Sequence, residues 1–334
     1  MSAKLDMGYI PKRILVIQLG PVHEVIQSLP LLNTLRFRFP RCEIAILIES
    51  QMIGLLTRHP APDRLIVAES GWYKSLEQIK LIKKRLKAFT PDLCFELEGT
   101  LAGSLASWIS GAHHRVGFAR NNSRSFFTFF NNHRISVGAS HPLEKKLNLL
   151  ELLGIVGSSI DYDLPAISHE QANASNLCQE HDLLETSFVL IHATPFSQNP
   201  DLWKTITNHI GNRWHIPQLL MCMSESDVAL AEDLIRDTEG VVAATPVLSF
   251  PLVIALMRRS LFFLGTNIDT LHLACAAPTP CVGILNSSKV VPPHCNNPLT
   301  RWVELSMGIP ADILLACDRI MEKQFAKGQQ RRGA

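Results

Sequence analysis

Residues 13–48 read RILVIQLGPVHEVIQSLPLLNTLRFRFPRCEIAILI. The stretch opens with Arg13–Gln18, a strongly apolar run of strand length. A turn follows around Gly20 and Pro21. From His23 to Phe39, apolar residues then recur at helical spacing (Val25, Ile26, Leu29, Leu32, Leu35), and Pro40 ends the pattern. Glu43–Ile48 is a second apolar strand. Strand, helix and strand at these lengths make a βαβ unit, and βαβ units build parallel sheets.

The same rhythm runs outward along the chain. Strands are predicted at Arg64–Val67, Asp92–Leu97 and Arg115–Phe118, and helices at Lys74–Phe89, Leu101–Ile109 and Leu143–Leu153, the last stopped by Gly154. The alternation restarts with strands at Phe188–His192, Gln218–Met221, Leu261–Leu264 and Cys281–Leu285. Helices are predicted at Leu202–Ile210, Asp227–Arg236, Phe250–Arg259, Thr270–Ala276 and Ala311–Phe325. The expected organisation is an α/β chain with a Rossmann-like domain over 1–156, a polar, weakly periodic linker over 157–186, a second Rossmann-like domain over 187–327 and a frayed basic tail over 328–334. Two doubly wound halves imply a cleft, with ligands at the carboxyl ends of the strands.

Composition narrows the function classes. Of 334 residues, 46% are apolar and 19% charged, which excludes disorder, collagen and coiled coil. Thirty-two basic against thirty acidic side chains leave +2, too little excess for a dedicated nucleic-acid binder, so no nucleic-acid partner is expected. No run reaches the ~18 apolar residues of a spanning helix, and Met1–Arg13 lacks the apolar centre of a signal peptide. A cytoplasmic protein is expected, with its eight cysteines as thiols. Cys275, Cys281, His294 and Cys295 fall near one another in sequence, but their spacing matches no standard zinc pattern. Ordinary packing is expected there, with no metal ligand and no bound cofactor.

A dinucleotide site would need G-x-G-x-x-G after the first strand, and Leu19-Gly20-Pro21-Val22-His23-Glu24 has one glycine. The P-loop lysine signature is also absent. The segment does set a carboxylate, Glu24, and an imidazole, His23, at the start of a helix that faces the cleft.

In this light the chain resembles the family 9 glycosyltransferases, the bacterial ADP-heptose:lipopolysaccharide heptosyltransferases and their relatives. Ile14-Leu15-Val16-Ile17 with Glu24-Val25, Leu29-Pro30-Leu31-Leu32 and Leu35–Pro40 is similar to that family's opening. His59–Val67, Asp92–Gly99, Ser110-Gly111-Ala112 with Arg115-Val116-Gly117-Phe118, Leu149–Ile155, His192-Ala193-Thr194, and His272–Ala276 with Thr279-Pro280 follow in the family's order.

The resemblance implies a GT-B fold, with acceptor in the first Rossmann-like domain, nucleotide sugar in the second, and inverting, metal-independent transfer. It implies Glu24 as general base, and Thr194, Glu225, Asn267, Asp269, Thr270 and His272 on the donor. His23, Arg115 and Arg120 are implied on the acceptor, within a basic cluster that includes His113, His114 and Arg124 and suits an anionic glycolipid or glycan. Phe126, Phe127, Phe129 and Phe130 are either core or an apolar patch that makes peripheral contact with the inner membrane. The sequence departs from the pattern in three places. Glu24 stands where the family has Asp, Asn267-Ile268-Asp269 replaces its Asp-Thr/Ser-Gly, and no lysine stands at its expected place in residues 195–204. The departures also admit a catalytically impaired member that binds sugar or nucleotide, or acts as a scaffold.

Overall fold

The computed structural model describes residues 9–119, 126–138, 141–183, 188–192, 200–236, 238, 242–287, 289–305 and 310–332, with the side chains of 126, 127, 230, 242 and 327–332 left aside. The chain divides into two compact units, Met1–Pro165 and Ala166–Ala334.

The first unit runs β1 (Arg13–Ile17), α1 (Val22–Arg38), β2 (Glu43–Glu49), α2 (Ile53–Leu56), β3 (Arg64–Ala68), α3 (Leu76–Phe89), β4 (Leu93–Glu96), α4 (Leu101–Ser110), β5 (His114–Phe118), β6 (His133–Ile135) and α5 (Pro142–Asn148). All strand pairs are parallel, in the order β3-β2-β1-β4-β5-β6. β1 and β2 are apolar along nearly their whole length because helices cover both faces of the sheet. α3 shows the logic of the cover. Ser75 accepts from Gln78 N–H to cap its start, Ile82, Leu86 and Phe89 are buried, and its lysines face water. Leu149–Leu153 continues from α5 as a 3-10 turn, and Gly154, at φ +72°, closes it.

The second unit runs α6 (Ser168–Glu180), β7 (Val189–His192), α7 (Pro200–Trp214), β8 (Gln218–Cys222), α8 (Glu225–Arg236), β9 (Val242–Val247), α9 (Phe250–Arg259), β10 (Phe262–Gly265), α10 (Ile268–Ala276), β11 (Cys281–Leu285), β12 (Arg301–Glu304) and α11 (Pro310–Arg332). Its sheet is again all parallel, β9-β8-β7-β10-β11-β12. Counted from each unit's own first strand, both sheets have the order 3-2-1-4-5-6.

The sequence reading differs from this architecture in places with a physical cause. Three strands lie outside it, β6, β9 and β12, and each is a sheet edge. Residues 157–186, expected as a linker, contain α6, which packs on α9 and buries Ala174, Leu177 and Cys178. So short an apolar set on an otherwise polar helix gives a weak helical pattern. The frayed tail expected over 328–334 is helical as far as Arg332, as the end of α11. No helix among the described residues is long and apolar enough to cross a membrane.

Candidate functional site

Where the strand order of a doubly wound sheet reverses, the two connections leave to opposite faces and a crevice opens beyond the strand ends. In the first unit this point lies between β1 and β4, paired from Ile14↔Leu93 to Ile17↔Glu96. Carboxylates fill it. Glu24 stands in the first turn of α1, Glu96 ends β4 and Glu98 follows two residues on, all three buried. Gly20 lets the backbone in among them. A Cβ there would lie 2.9 Å from Glu98 Oε1, 3.1 Å from Gln18 Nε2 and 3.1 Å from Glu24 Oε2.

The cation in this crevice is Lys146 of α5, only 4% exposed. Its Nζ donates to Gln18 Oε1 at 2.8 Å and to the Glu24 main-chain oxygen at 2.7 Å, and stands 3.9 Å from Glu24 Oε2. Gln18 Nε2 donates in turn to Glu98 Oε1 at 2.8 Å, and Thr100 Oγ1 donates to Glu98 Oε2 at 3.1 Å. Glu96 is held separately. Its Oε1 accepts from the N–H groups of Glu98 (3.0 Å) and Gly99 (2.7 Å), and its Oε2 accepts from Asn131 Nδ2 at 3.3 Å.

Three carboxylates and one ammonium in a pocket of low dielectric cannot all carry charge cheaply. Burial pushes Glu98 up to about 7, the charge of Glu96 pushes the same way, and Lys146 opposes. Burial also pushes Glu96 up to about 7, against the hydrogen bonds from Glu98 and Gly99. Burial thus holds two of the three carboxyls above the usual carboxylate range.

Glu24 is the residue the sequence named, and it sits inside this network. His23 lies beside it on α1, partly exposed. Arg115 does not join them. It pairs with Cys94 in the amino-terminal half of β5, at the end of the sheet opposite the crevice. Its guanidinium donates to the carbonyls of Phe130 (2.9 Å) and Ala112 (2.8 Å), so it ties loops together. His114 and His133 lie at the same end, with Nδ1 and Nε2 3.0 Å apart. Arg120 and Arg124 lie outside the described residues. Phe129 is 59% exposed, and Trp108, 54% exposed, stacks on Phe130 at 5.4 Å. The sequence reading passed over Glu96, Glu98, Gln18 and Lys146. A lysine in register with Leu143 and Leu150 on the apolar stripe of a helix was the available signal for the last.

The second unit's reversal point lies between β7 and β10, paired from Phe262↔Val189 to Gly265↔His192. His192, buried at the end of β7, has Nδ1 3.0 Å from Thr270 Oγ1 and Nε2 3.6 Å from Asp227 Oδ2. The Thr270 hydroxyl donates to Asn267 O at 3.1 Å, and the His192 ring lies between that hydroxyl and the Asp227 carboxylate. Burial would raise the Asp227 carboxyl, but hydrogen bonds from His192 and from Met223 N–H outweigh it and hold the group below the usual range.

Asn267 is the cap of α10. Its Oδ1 accepts from the N–H groups of Asp269 (2.9 Å) and Thr270 (3.2 Å). Asp269 is partly exposed, and His272 is buried two residues beyond Thr270. Glu225 is exposed at the start of α8, and the buried carboxylate facing His192 is Asp227, two residues later. Thr194 lies outside the described residues. Among the described residues, three sulfurs also converge, those of Cys275, Cys281 and Cys295, within 4.8 Å of one another.

Two doubly wound sheets of this order, each with a polar crevice at its reversal, are the signature of the GT-B fold. A family 9 glycosyl transferase from Veillonella parvula superposes with a TM-score of 0.82 over 96% of this chain and 100% of that one, at 18% identity. The Escherichia coli heptosyltransferase WaaC, solved with ADP, gives 0.75 over 93% and 99%, also at 18% identity. The chain belongs to glycosyltransferase family 9 (heptosyltransferase), whose family model matches residues 79–301. Lipopolysaccharide heptosyltransferase 3 of Escherichia coli (strain K12) is 20% identical over 293 residues, 84% of each chain.

Proposed function

We propose that this chain is an inverting, metal-independent glycosyltransferase. It moves heptose or a related sugar from a nucleotide diphosphate, ADP-heptose favoured, to a lipopolysaccharide core or another cell-envelope glycan. The observation that carries this reading is the buried carboxylate crevice around Gly20, with Glu24 beside Lys146. In one displacement the acceptor hydroxyl oxygen bonds to the anomeric carbon while the bond to the diphosphate oxygen breaks. The hydroxyl proton passes to Glu24, and the diphosphate leaves with the electron pair. Lys146 fixes the first turn of α1 through the Glu24 carbonyl, which sets the base in position. The second unit takes the nucleotide diphosphate at the start of α10, where helix N–H groups favour an anion. The names of the relatives support the donor and acceptor classes. Phe129 and Trp108 are exposed aromatic groups suited to peripheral contact with the inner membrane.

One observation favours a second reading, a binder without turnover. The Asn267 side chain already occupies two N–H groups of the α10 start, and this leaves less to stabilise a departing diphosphate. Isothermal titration with ADP, GDP and UDP, followed by donor turnover, separates the two. The expected result is tightest binding of ADP, with kcat lowered about a hundredfold or more in Glu24→Gln and ADP affinity within about twofold of wild type, since the substitution leaves the second unit intact. Full turnover in Glu24→Gln overturns the base assignment, and ADP binding with no turnover by the wild type establishes the second reading.

A further inference from the structure

The crossover from β11 to β12 is unlike the other four in its sheet. Those carry α7, α8, α9 and α10, whereas the described residues of 286–300 hold neither helix nor strand. Parallel strands usually need a helix to make this return, and a connection of this length with no secondary structure of its own needs some other restraint. Cys295 sits in it. Its sulfur meets those of Cys275, near the end of α10, and Cys281, the first residue of β11. Cys275 and Cys281 are buried, and Cys295 is partly exposed. The Thr300 hydroxyl lies 3.1 Å from Cys295 Sγ and 3.7 Å from Cys281 Sγ.

We propose that Cys275, Cys281 and Cys295 form a structural site for one thiophilic d10 metal ion, Zn²⁺ or Cu⁺, which pins the 286–300 connection to the end of α10. The geometry needs little change. Three sulfurs within 4.8 Å of one another leave an ion between them at most about 2.8 Å from each, so no more than roughly half an ångström of inward movement reaches the ~2.3 Å zinc–thiolate length. Three thiolates are a soft donor set that selects these ions over Mg²⁺ or Ca²⁺. Cu⁺ is satisfied by three sulfurs, whereas Zn²⁺ takes a fourth ligand from solvent on the partly exposed Cys295 side. The site is separate from the sugar-transfer chemistry, because none of its ligands lies at the β7–β10 reversal.

The test uses the full chain, isolated under reductant and stripped with a chelator. Zn²⁺ is titrated against a chromophoric chelator and Cu⁺ against bicinchoninate. One equivalent of one of these ions is expected to bind, with Cys295→Ser weakening it about a hundredfold or more and Cys42→Ser, in the first unit, leaving it unchanged. Peptide-mapped alkylation of the wild type needs no variant, and bound metal should slow Cys295 labelling at least tenfold. The proposal is overturned if neither ion reaches half an equivalent, if Cys295→Ser binds as the wild type does, or if labelling ignores the ion. A disulfide between any two of the three in protein isolated separately without reductant, read as a loss of two hydrogens from the linked peptides, overturns it as well.

Discussion

The two reversal points share a topology and differ in everything chemical. Each lies between the first and fourth strands of a 3-2-1-4-5-6 sheet, and in each the first strand ends beside a buried polar side chain. At β1–β4 the occupants are three carboxylates and one lysine, with two of the carboxyls raised by burial. At β7–β10 a histidine faces an aspartate whose carboxyl is lowered, under a helix start capped by Asn267. Strand order supplies the crevice. The few residues just past the strand ends decide which charges line it.

The comparison breaks most visibly at Lys146. Its ammonium serves Gln18, the Glu24 carbonyl and the carboxylates together, so Lys146→Met leaves buried acceptors and charge unpaired. Unfolding in urea should show the first unit destabilised by about 3–5 kcal/mol. A loss under about 1 kcal/mol would mean that the crevice is wetter than its burial indicates.

The pH dependence sharpens it next, because the two sites have opposite signs. Glu96 and Glu98 bind protons more tightly folded than unfolded. Their contribution is fully present below about pH 4.5 and is lost as pH rises through about 7. Asp227 binds its proton less tightly when folded, so its contribution is present above about pH 3.8 and is lost as pH falls below it. Unfolding free energies measured across this range should flatten on the neutral side in Glu98→Gln and on the acid side in Asp227→Asn. Identical profiles for both variants would end the contrast.

The smallest effect is expected at Asn267. Removing this cap in Asn267→Ala should cost about 1 kcal/mol in thermal unfolding. It should also free two N–H groups of α10 for a diphosphate, and ADP affinity measures whether that gain is real.

How much of this could be read in the sequence depended on burial. The nine predicted strands stand where expected because most are buried on both faces and read as plain apolar runs such as Ile44–Ile48. β6, with Arg134, and β12, with Arg301 and Glu304, are edges whose side chains are partly exposed, and β9 carries Pro246. A half-exposed edge strand announces itself only when it keeps an apolar run, as β3 does with Leu65-Ile66-Val67. At the site, Glu24 was legible because a carboxylate in the first turn after a strand is a local pattern. Lys146 was not, since it lies 122 residues away and its partners are visible only once α5 packs on α1. Asp227 was obscured by Glu225, two positions earlier and exposed.

Periodicity and turn residues, which are local, determined by themselves that this chain folds as two doubly wound sheets, and its ordered motifs carried the family resemblance. Tertiary structure alone decided which charges share a pocket: Lys146 with Glu24 and Glu98, His192 with Asp227, and three sulfurs from a helix, a strand and a loop. Side-chain interactions act over a few ångströms of space regardless of separation along the chain, so only the folded arrangement brings these groups together.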